Sequence, residues 1–135
     1  MPNKIAIIGG GIIGLAIGYQ LSRTKKNLTI SIFEKEASIG KHQSGRNSGV
    51  LHCGLYYKPG TLKSKLSIDG IQSMIKFCEK HNIDHEICGK LVVACDRKEE
   101  IELDKLAKNG KMNGLDGLMF LNKKEGLLRE PYVKA

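Results

Sequence analysis

Three glycines, Gly9, Gly11 and Gly14, stand in the pattern G-x-G-x-x-G, and an acidic residue, Glu34, follows twenty positions after the last of them. Each part has a physical reason. A glycine at the first position permits a tight turn. A glycine at the second lets backbone approach a pyrophosphate. A glycine at the third lets a helix pack closely on a strand. The free N–H groups at the start of that helix, and its dipole, favour an anion there. A carboxylate at Glu34 can accept hydrogen bonds from ribose hydroxyls, and its charge repels a 2′-phosphate, which disfavours NADP. The spacing predicts a dinucleotide site; a glycine turn without a ligand is the alternative.

The segment His42-Gln43-Ser44-Gly45-Arg46-Asn47-Ser48-Gly49-Val50-Leu51-His52-Cys53-Gly54-Leu55-Tyr56-Tyr57 adds hydroxyls, amides, an arginine and further glycines. Such groups suit the diphosphate, ribityl chain and ring of a flavin, so the block favours FAD over NAD. Taken singly, Ser44, Asn47 and Ser48 are ordinary turn residues. His52 is the candidate here for proton transfer, because imidazole exchanges protons readily at neutral pH. Packing against a ring, or a hydrogen bond within the loop, would equally explain it. A second constellation, Cys78, His81, His85 and Cys88, has ligand types that could hold zinc. A helix end followed by a buried cysteine accounts for it as well, and no metal is assigned.

The run H-Q-S-G-R-N-S-G-V-L-H-C-G-L-Y-Y-K-P-G-T-L-K from His42, with C-G-K-L-V-V-A at 88–94 and R-E-P-Y at 129–132, resembles the N-terminal region of the L-2-hydroxyglutarate oxidase/dehydrogenase family. That family belongs to the D-amino-acid-oxidase-like FAD oxidoreductases. Arg46 stands where many of its members have histidine. The S-x-N-S…H-x-G-L pattern also resembles glycerol-3-phosphate dehydrogenases, the alternative within the superfamily. The resemblance implies oxidation of L-2-hydroxyglutarate to 2-oxoglutarate, with hydride passing from substrate C2 to the flavin while a base takes the hydroxyl proton. It implies that Gly9, Gly11, Gly14, Glu34 and Lys35 bind the ADP half of FAD. It also implies that Ser44, Asn47, Ser48 and Gly49 lie along the pyrophosphate and ribityl region. The implied partners are a small 2-hydroxy acid and an electron acceptor such as a membrane quinone or oxygen, with peripheral membrane contact.

The elements that must position these residues follow from hydrophobic pattern. Residues 4–8 read as a buried strand ended by glycines. Residues 12–24 are apolar nearly all round and predict a buried helix, with Gly14 and Gly18 on the face that meets a strand. Residues 28–33 alternate and are β-branched, a second strand. Strand, glycine turn, helix and strand make a βαβ unit, so the expected fold class is α/β, a Rossmann-type FAD/NAD(P)-binding domain. Residues 35–58 have no sustained period. Pro59 opens a predicted helix to about His81, with Leu62, Leu66, Ile71, Ile75 and Cys78 near one face. A strand at 91–94 follows. Asp96 and Glu99 then start a helix stopping near Asn109-Gly110. A strand at 118–121 and a short helix at 122–129 complete the reading. The expected division is a cofactor unit over 1–58 and a helix-strand-helix continuation over 59–135.

The chain has 135 residues with a net charge of +8. That is one domain at most, expected to bury roughly two thirds of its unfolded surface. Residues 1–67 carry ten basic and two acidic groups, whereas residues 68–135 carry twelve of each. The first half should attract anions such as a pyrophosphate or an acidic substrate. The chain lacks Trp and has no basic run interleaved with aromatics, which disfavours nucleic-acid binding. No apolar run approaches a membrane span, no signal peptide is read, and four cysteines without C-x-x-C spacing predict reduced thiols. A cytoplasmic chain, peripheral to a membrane at most, is the expectation. Members of the resembled family are several times longer. Three readings stay open: part of a flavoenzyme active only with its remainder, here or as a separate chain; an inactive remnant; and a stand-alone nucleotide-binding module.

Overall fold

A computed structural model of the chain describes residues 3–134. It divides into two compact units, the first ending at Val50 and the second beginning at Leu51.

The first unit opens with strand β1 (Asn3–Ile8), helix α1 (Ile12–Thr24) and strand β2 (Leu28–Phe33). β1 and β2 pair in parallel, with Asn3 opposite Leu28 and Ile8 opposite Phe33. A parallel pair needs a crossover, and α1 supplies it, so the predicted βαβ unit is present. Two sequence features close the unit. Asn27 takes φ +61°, the left-handed conformation asparagine tolerates, and turns the chain from α1 into β2. Gly18 is buried, and a Cβ there would stand 3.1 Å from Ile32 Cδ1 and 3.5 Å from Ile7 Cδ1. The small residue therefore lets α1 sit against both strands.

The expectation that α1 is buried does not hold. Ile12 is 55% exposed, Ile13 74% and Ile17 47%. The reason is the size of the sheet: within the first unit, its two strands cover one face of α1.

In the second unit, helix α2 (Leu62–His81) begins after Pro59, at the cap Thr61, whose Oγ1 accepts from Ser64 N–H at 3.2 Å. Its inward face runs through Ser64, Ile68, Ile71, Ile75 and Cys78, at helical spacing. Leu62 and Leu66, expected on that face, are 70% and 59% exposed. Helix α3 (Arg97–Met112) starts at the predicted cap: Asp96 Oδ1 accepts from Lys98 N–H at 2.8 Å and Glu99 N–H at 2.9 Å. It runs past Asn109-Gly110, where it was expected to stop. Gly110 is buried there, and a Cβ on it would come within 2.8 Å of both Leu55 Cδ1 and Leu118 Cδ1. Its glycine serves close packing inside the helix, and the chain turns instead at Gly114, φ +75°. Helix α4 (Lys123–Arg129) is capped by Asn122 and Glu125 in a reciprocal pair.

The strands expected at 91–94 and 118–121 do not form; the described residues hold one sheet, of β1 and β2 alone. An apolar run becomes a strand only where another strand takes its backbone groups. Asn113 joins the 54–57 turn to the end of α3, donating Nδ2–H to the carbonyls of Gly54 at 3.2 Å and Tyr57 at 2.9 Å.

Candidate dinucleotide site

The turn between β1 and α1 is held by bonds that the glycine spacing makes feasible. Gly9, at φ +103°, donates its N–H to the Phe33 carbonyl at 2.8 Å, tying the turn to the end of β2. A Cβ on Gly14 would land on the carbonyl oxygen of Gly9, far inside contact distance, with Ile7 Cγ2 at 3.3 Å. Gly14 is thus the position where α1 crosses the turn it grows from. Gly11 is the extended N-cap of α1 and offers no side chain to the helix amides. The first turn of α1 also has no acidic residue. Backbone donors and a helix end without an acidic residue in its own first turn therefore lie together, the kind of arrangement that receives an anion.

Glu34 sits directly on this turn. Its Oε2 accepts from Gly10 N–H at 2.7 Å and its Oε1 from Glu36 N–H at 3.0 Å. These amide bonds, Glu36 first and then Gly10, hold the carboxyl below the usual carboxylate range against a smaller opposing effect of burial; the Lys35 backbone and the charge of His42 add to them. An ionised carboxylate has about four acceptor sites, so both oxygens keep capacity for hydroxyl donors.

The loop after β2 folds back onto the same turn. Gly40 N–H donates to the Gly10 carbonyl at 3.1 Å, and Ser44 Oγ accepts from Ile12 N–H at 2.8 Å. Ser44 leads the way into Asn47, whose Nδ2 donates to the Ser44 carbonyl at 2.8 Å and the Gln43 carbonyl at 3.3 Å. Asn47 Oδ1 accepts from Gly49 N–H at 2.6 Å, and Gly49 has φ +68°. Ser48 Oγ accepts from Val50 N–H at 3.5 Å. Lys35 reaches the Glu36 carboxylate at 3.7 Å, and His42 Nε2 approaches the same oxygen at 3.0 Å.

The structure brings Gly9, Gly11, Gly14, Glu34 and Ser44 together at one helix end. It turns Lys35 toward Glu36, and it engages Asn47, Ser48 and Gly49 in bonds of their own loop. His52 is exposed and lies just inside the second unit. Several positions went unremarked in the sequence. Gly10 is buried and carries both the Glu34 and the Gly40 bonds, and a Cβ on it would meet Ile39 Cγ2 at 3.0 Å. A Cβ on Gly45 would land on the Gly40 carbonyl oxygen. The only signal for these was the glycine content of the segment.

The zinc alternative gathers nothing: among the described residues no three His, Cys, Asp or Glu side chains are placed to hold a metal. Cys78 is buried on α2, whereas Cys88 is exposed, contrary to the buried position expected of it, because no strand forms beyond it. All four cysteines are free. No helix among the described residues is long and apolar enough to cross a membrane.

The residues present fit the ADP half of a dinucleotide: a glycine cradle that side chains would fill, a helix end whose own cap residue carries no side chain, and an ionised acidic residue. Residues 4–135 match the family described as DAO, FAD dependent oxidoreductase. The chain is 47% identical over 132 residues to a mitochondrial L-2-hydroxyglutarate dehydrogenase of Dictyostelium discoideum, covering 97% of this chain and 30% of that protein. It is 46% identical over 133 residues to an L-2-hydroxyglutarate dehydrogenase of Indibacter alkaliphilus, covering 98% and 33%. It is 40% identical over 131 residues to the mitochondrial protein of that name from Homo sapiens, covering 97% and 28%. The chain thus spans about a third or less of the length of the curated relatives it matches.

Proposed function

This chain belongs to the DAO family of FAD-dependent oxidoreductases, and we propose that it is the FAD-binding portion of an enzyme that oxidises L-2-hydroxyglutarate to 2-oxoglutarate. The observation that carries the cofactor reading is the convergence of the Gly9–Gly14 turn, the α1 N-terminus and ionised Glu34 at one place. The substrate reading rests on the similarity to L-2-hydroxyglutarate dehydrogenases along nearly the whole chain.

In this reading Gly9, Gly11 and Gly14 leave room for the pyrophosphate against the α1 amides, and Glu34, flanked by Lys35, takes the adenosine ribose hydroxyls. Ser44, Asn47, Ser48 and Gly49 build the wall along the pyrophosphate and ribityl region. When bound, FAD supplies the two-electron acceptor for the substrate. His52 is the residue of this chain proposed to hold or move the substrate hydroxyl proton. The cofactor portion extends through residue 58, and residues 59–135 begin the rest of the oxidoreductase. Basic groups for the two substrate carboxylates, the electron acceptor and any membrane or quinone contact belong to the remaining length seen in the relatives, whether that length continues this chain or reaches it as a partner.

Titration of the full chain with FAD, read by flavin fluorescence and equilibrium dialysis, tests the cofactor reading. FAD should bind and NADP should not; absence of FAD binding overturns it. Combination with the C-terminal two thirds of the Indibacter relative tests the reaction. Dye reduction is expected with L-2-hydroxyglutarate and not with glycerol 3-phosphate. In that assembly His52→Ala should abolish turnover while flavin stays bound, and near-normal turnover would remove His52 from the mechanism.

A further inference from the structure

Helix α1 lacks an N-cap side chain of its own, since Gly11 occupies that position. Its first amide is nevertheless met: Ile12 N–H donates to Ser44 Oγ at 2.8 Å from 32 residues away. A Cβ on Gly11 would lie 3.1 Å from that oxygen, so the hydroxyl sits tight against the cap. Ser44 is itself held. Asn47 donates to the Ser44 and Gln43 carbonyls, and Gly49 N–H donates to Asn47 Oδ1. The Asn47 amide nitrogen thereby engages two carbonyls, and its oxygen keeps one acceptor site. Gly40 N–H on the Gly10 carbonyl anchors the other side of the strap. Asn47 is therefore turned to its own loop, although its position in the sequence suggested a cofactor contact.

From this arrangement we propose that Ser44 caps α1 from the loop after β2 and that Asn47 is a positioning residue acting through Ser44. Together they set the direction of the α1 amides before any nucleotide arrives. The proposal deepens the dinucleotide reading and rests on it for its functional meaning. A glycine at the cap leaves the helix end open to an anion, but an uncapped end frays. Supplying the cap oxygen from the neighbouring loop keeps both: the end stays ordered, and the cap position still has no side chain in the path of a phosphate. The Ser44 hydroxyl hydrogen, not used toward Ile12, is available to a further acceptor.

Amide exchange of the full, unliganded chain, resolved residue by residue by NMR, tests this. Loss of a cap should speed exchange at Ile12 by about five- to thirty-fold. Ser44→Ala and Asn47→Ala are each expected to do so, as is Asn47→Asp, which keeps the shape and removes the donors. Ser44→Thr keeps the hydroxyl and should stay within about twofold of the parent chain. The double variant Ser44→Ala/Asn47→Ala should exchange no faster at Ile12 than Ser44→Ala alone, because the second residue acts through the first. An Ile12 amide indifferent to Asn47→Ala and Asn47→Asp, or a double variant showing the product of the two effects, overturns the proposal. FAD titration of the same samples separates this from the cofactor reading. Exchange behaving as expected without FAD binding refutes the latter alone, and FAD binding with an unresponsive Ile12 refutes the former alone.

Discussion

Replacement of Gly14 by alanine probes the one contact on which the glycine turn depends. The added Cβ would meet the Gly9 carbonyl oxygen well inside the distance real Cβ atoms show, with the Gly9 carbon and Ile7 Cγ2 both at 3.3 Å. The obstacle is backbone on one side and the β1 side-chain layer on the other, so relief requires α1 to move off the sheet. Overpacking of this kind costs 1–3 kcal/mol and sometimes more, while alanine returns up to about 1 kcal/mol of helix propensity. At the upper end of that range a net loss of about 2 kcal/mol follows, roughly thirtyfold in the unfolding equilibrium. Two companions on the same scale make the test internal. In Gly18→Ala the nearest atom is the flexible end of Ile32, Cδ1 at 3.1 Å, and the propensity gain offsets the strain; a change within about 1 kcal/mol is expected. Gly126→Ala in α4 meets nothing within 4 Å and should be neutral or slightly stabilising. Urea unfolding followed by far-ultraviolet circular dichroism gives the three midpoints. A Gly14→Ala midpoint equal to that of Gly18→Ala would refute the close-crossing argument.

Glu34 carries a pH prediction. Its carboxyl is held below its ordinary value of about 4.5 by the Glu36 and Gly10 amides. A depressed folded value means that its contribution is fully present above the unfolded value and disappears as pH falls through the folded one. Acid unfolding monitored between neutrality and the lower carboxylate range should therefore lose part of its dependence in Glu34→Gln; identical acid profiles would contradict it. In the second unit, Asn113→Ala removes the donor to the Tyr57 carbonyl and one of the two donors to the Gly54 carbonyl, which keeps the Tyr57 N–H at 3.1 Å. A loss of about 1–3 kcal/mol in urea unfolding is expected, and an unchanged midpoint would mean that water replaces the amide.

Much of the first unit was legible before the fold was known, because its signals are local. β1, α1 and β2 fall where period and glycine punctuation put them, since each is defined by its own residues and by a neighbour close in sequence. The cap at Asp96 is local too: a short polar side chain and the amides two or three residues on are enough. Helix α3 runs past the end its sequence suggests for the opposite reason. Asn109-Gly110 looks like a stop, but Gly110 is needed by Leu55 and Leu118, residues the helix meets only after folding. The runs at 91–94 and 118–121 failed similarly, as β-branched or apolar character makes a strand only beside another strand.

The site shows the same boundary. Glycine spacing and an acidic residue at the end of β2 already marked where the tight turn, the start of α1 and the Glu34 carboxylate meet, because those features are set by sterics of the chain itself. Only the tertiary structure decided that Glu34 holds Gly10 and Glu36, that Ser44 reaches Ile12 and that Asn47 turns inward to hold Ser44. Side chains of one loop can meet several partners with similar chemistry. Which partner they take depends on how the chain returns through space, and spacing along the sequence carries no measure of that.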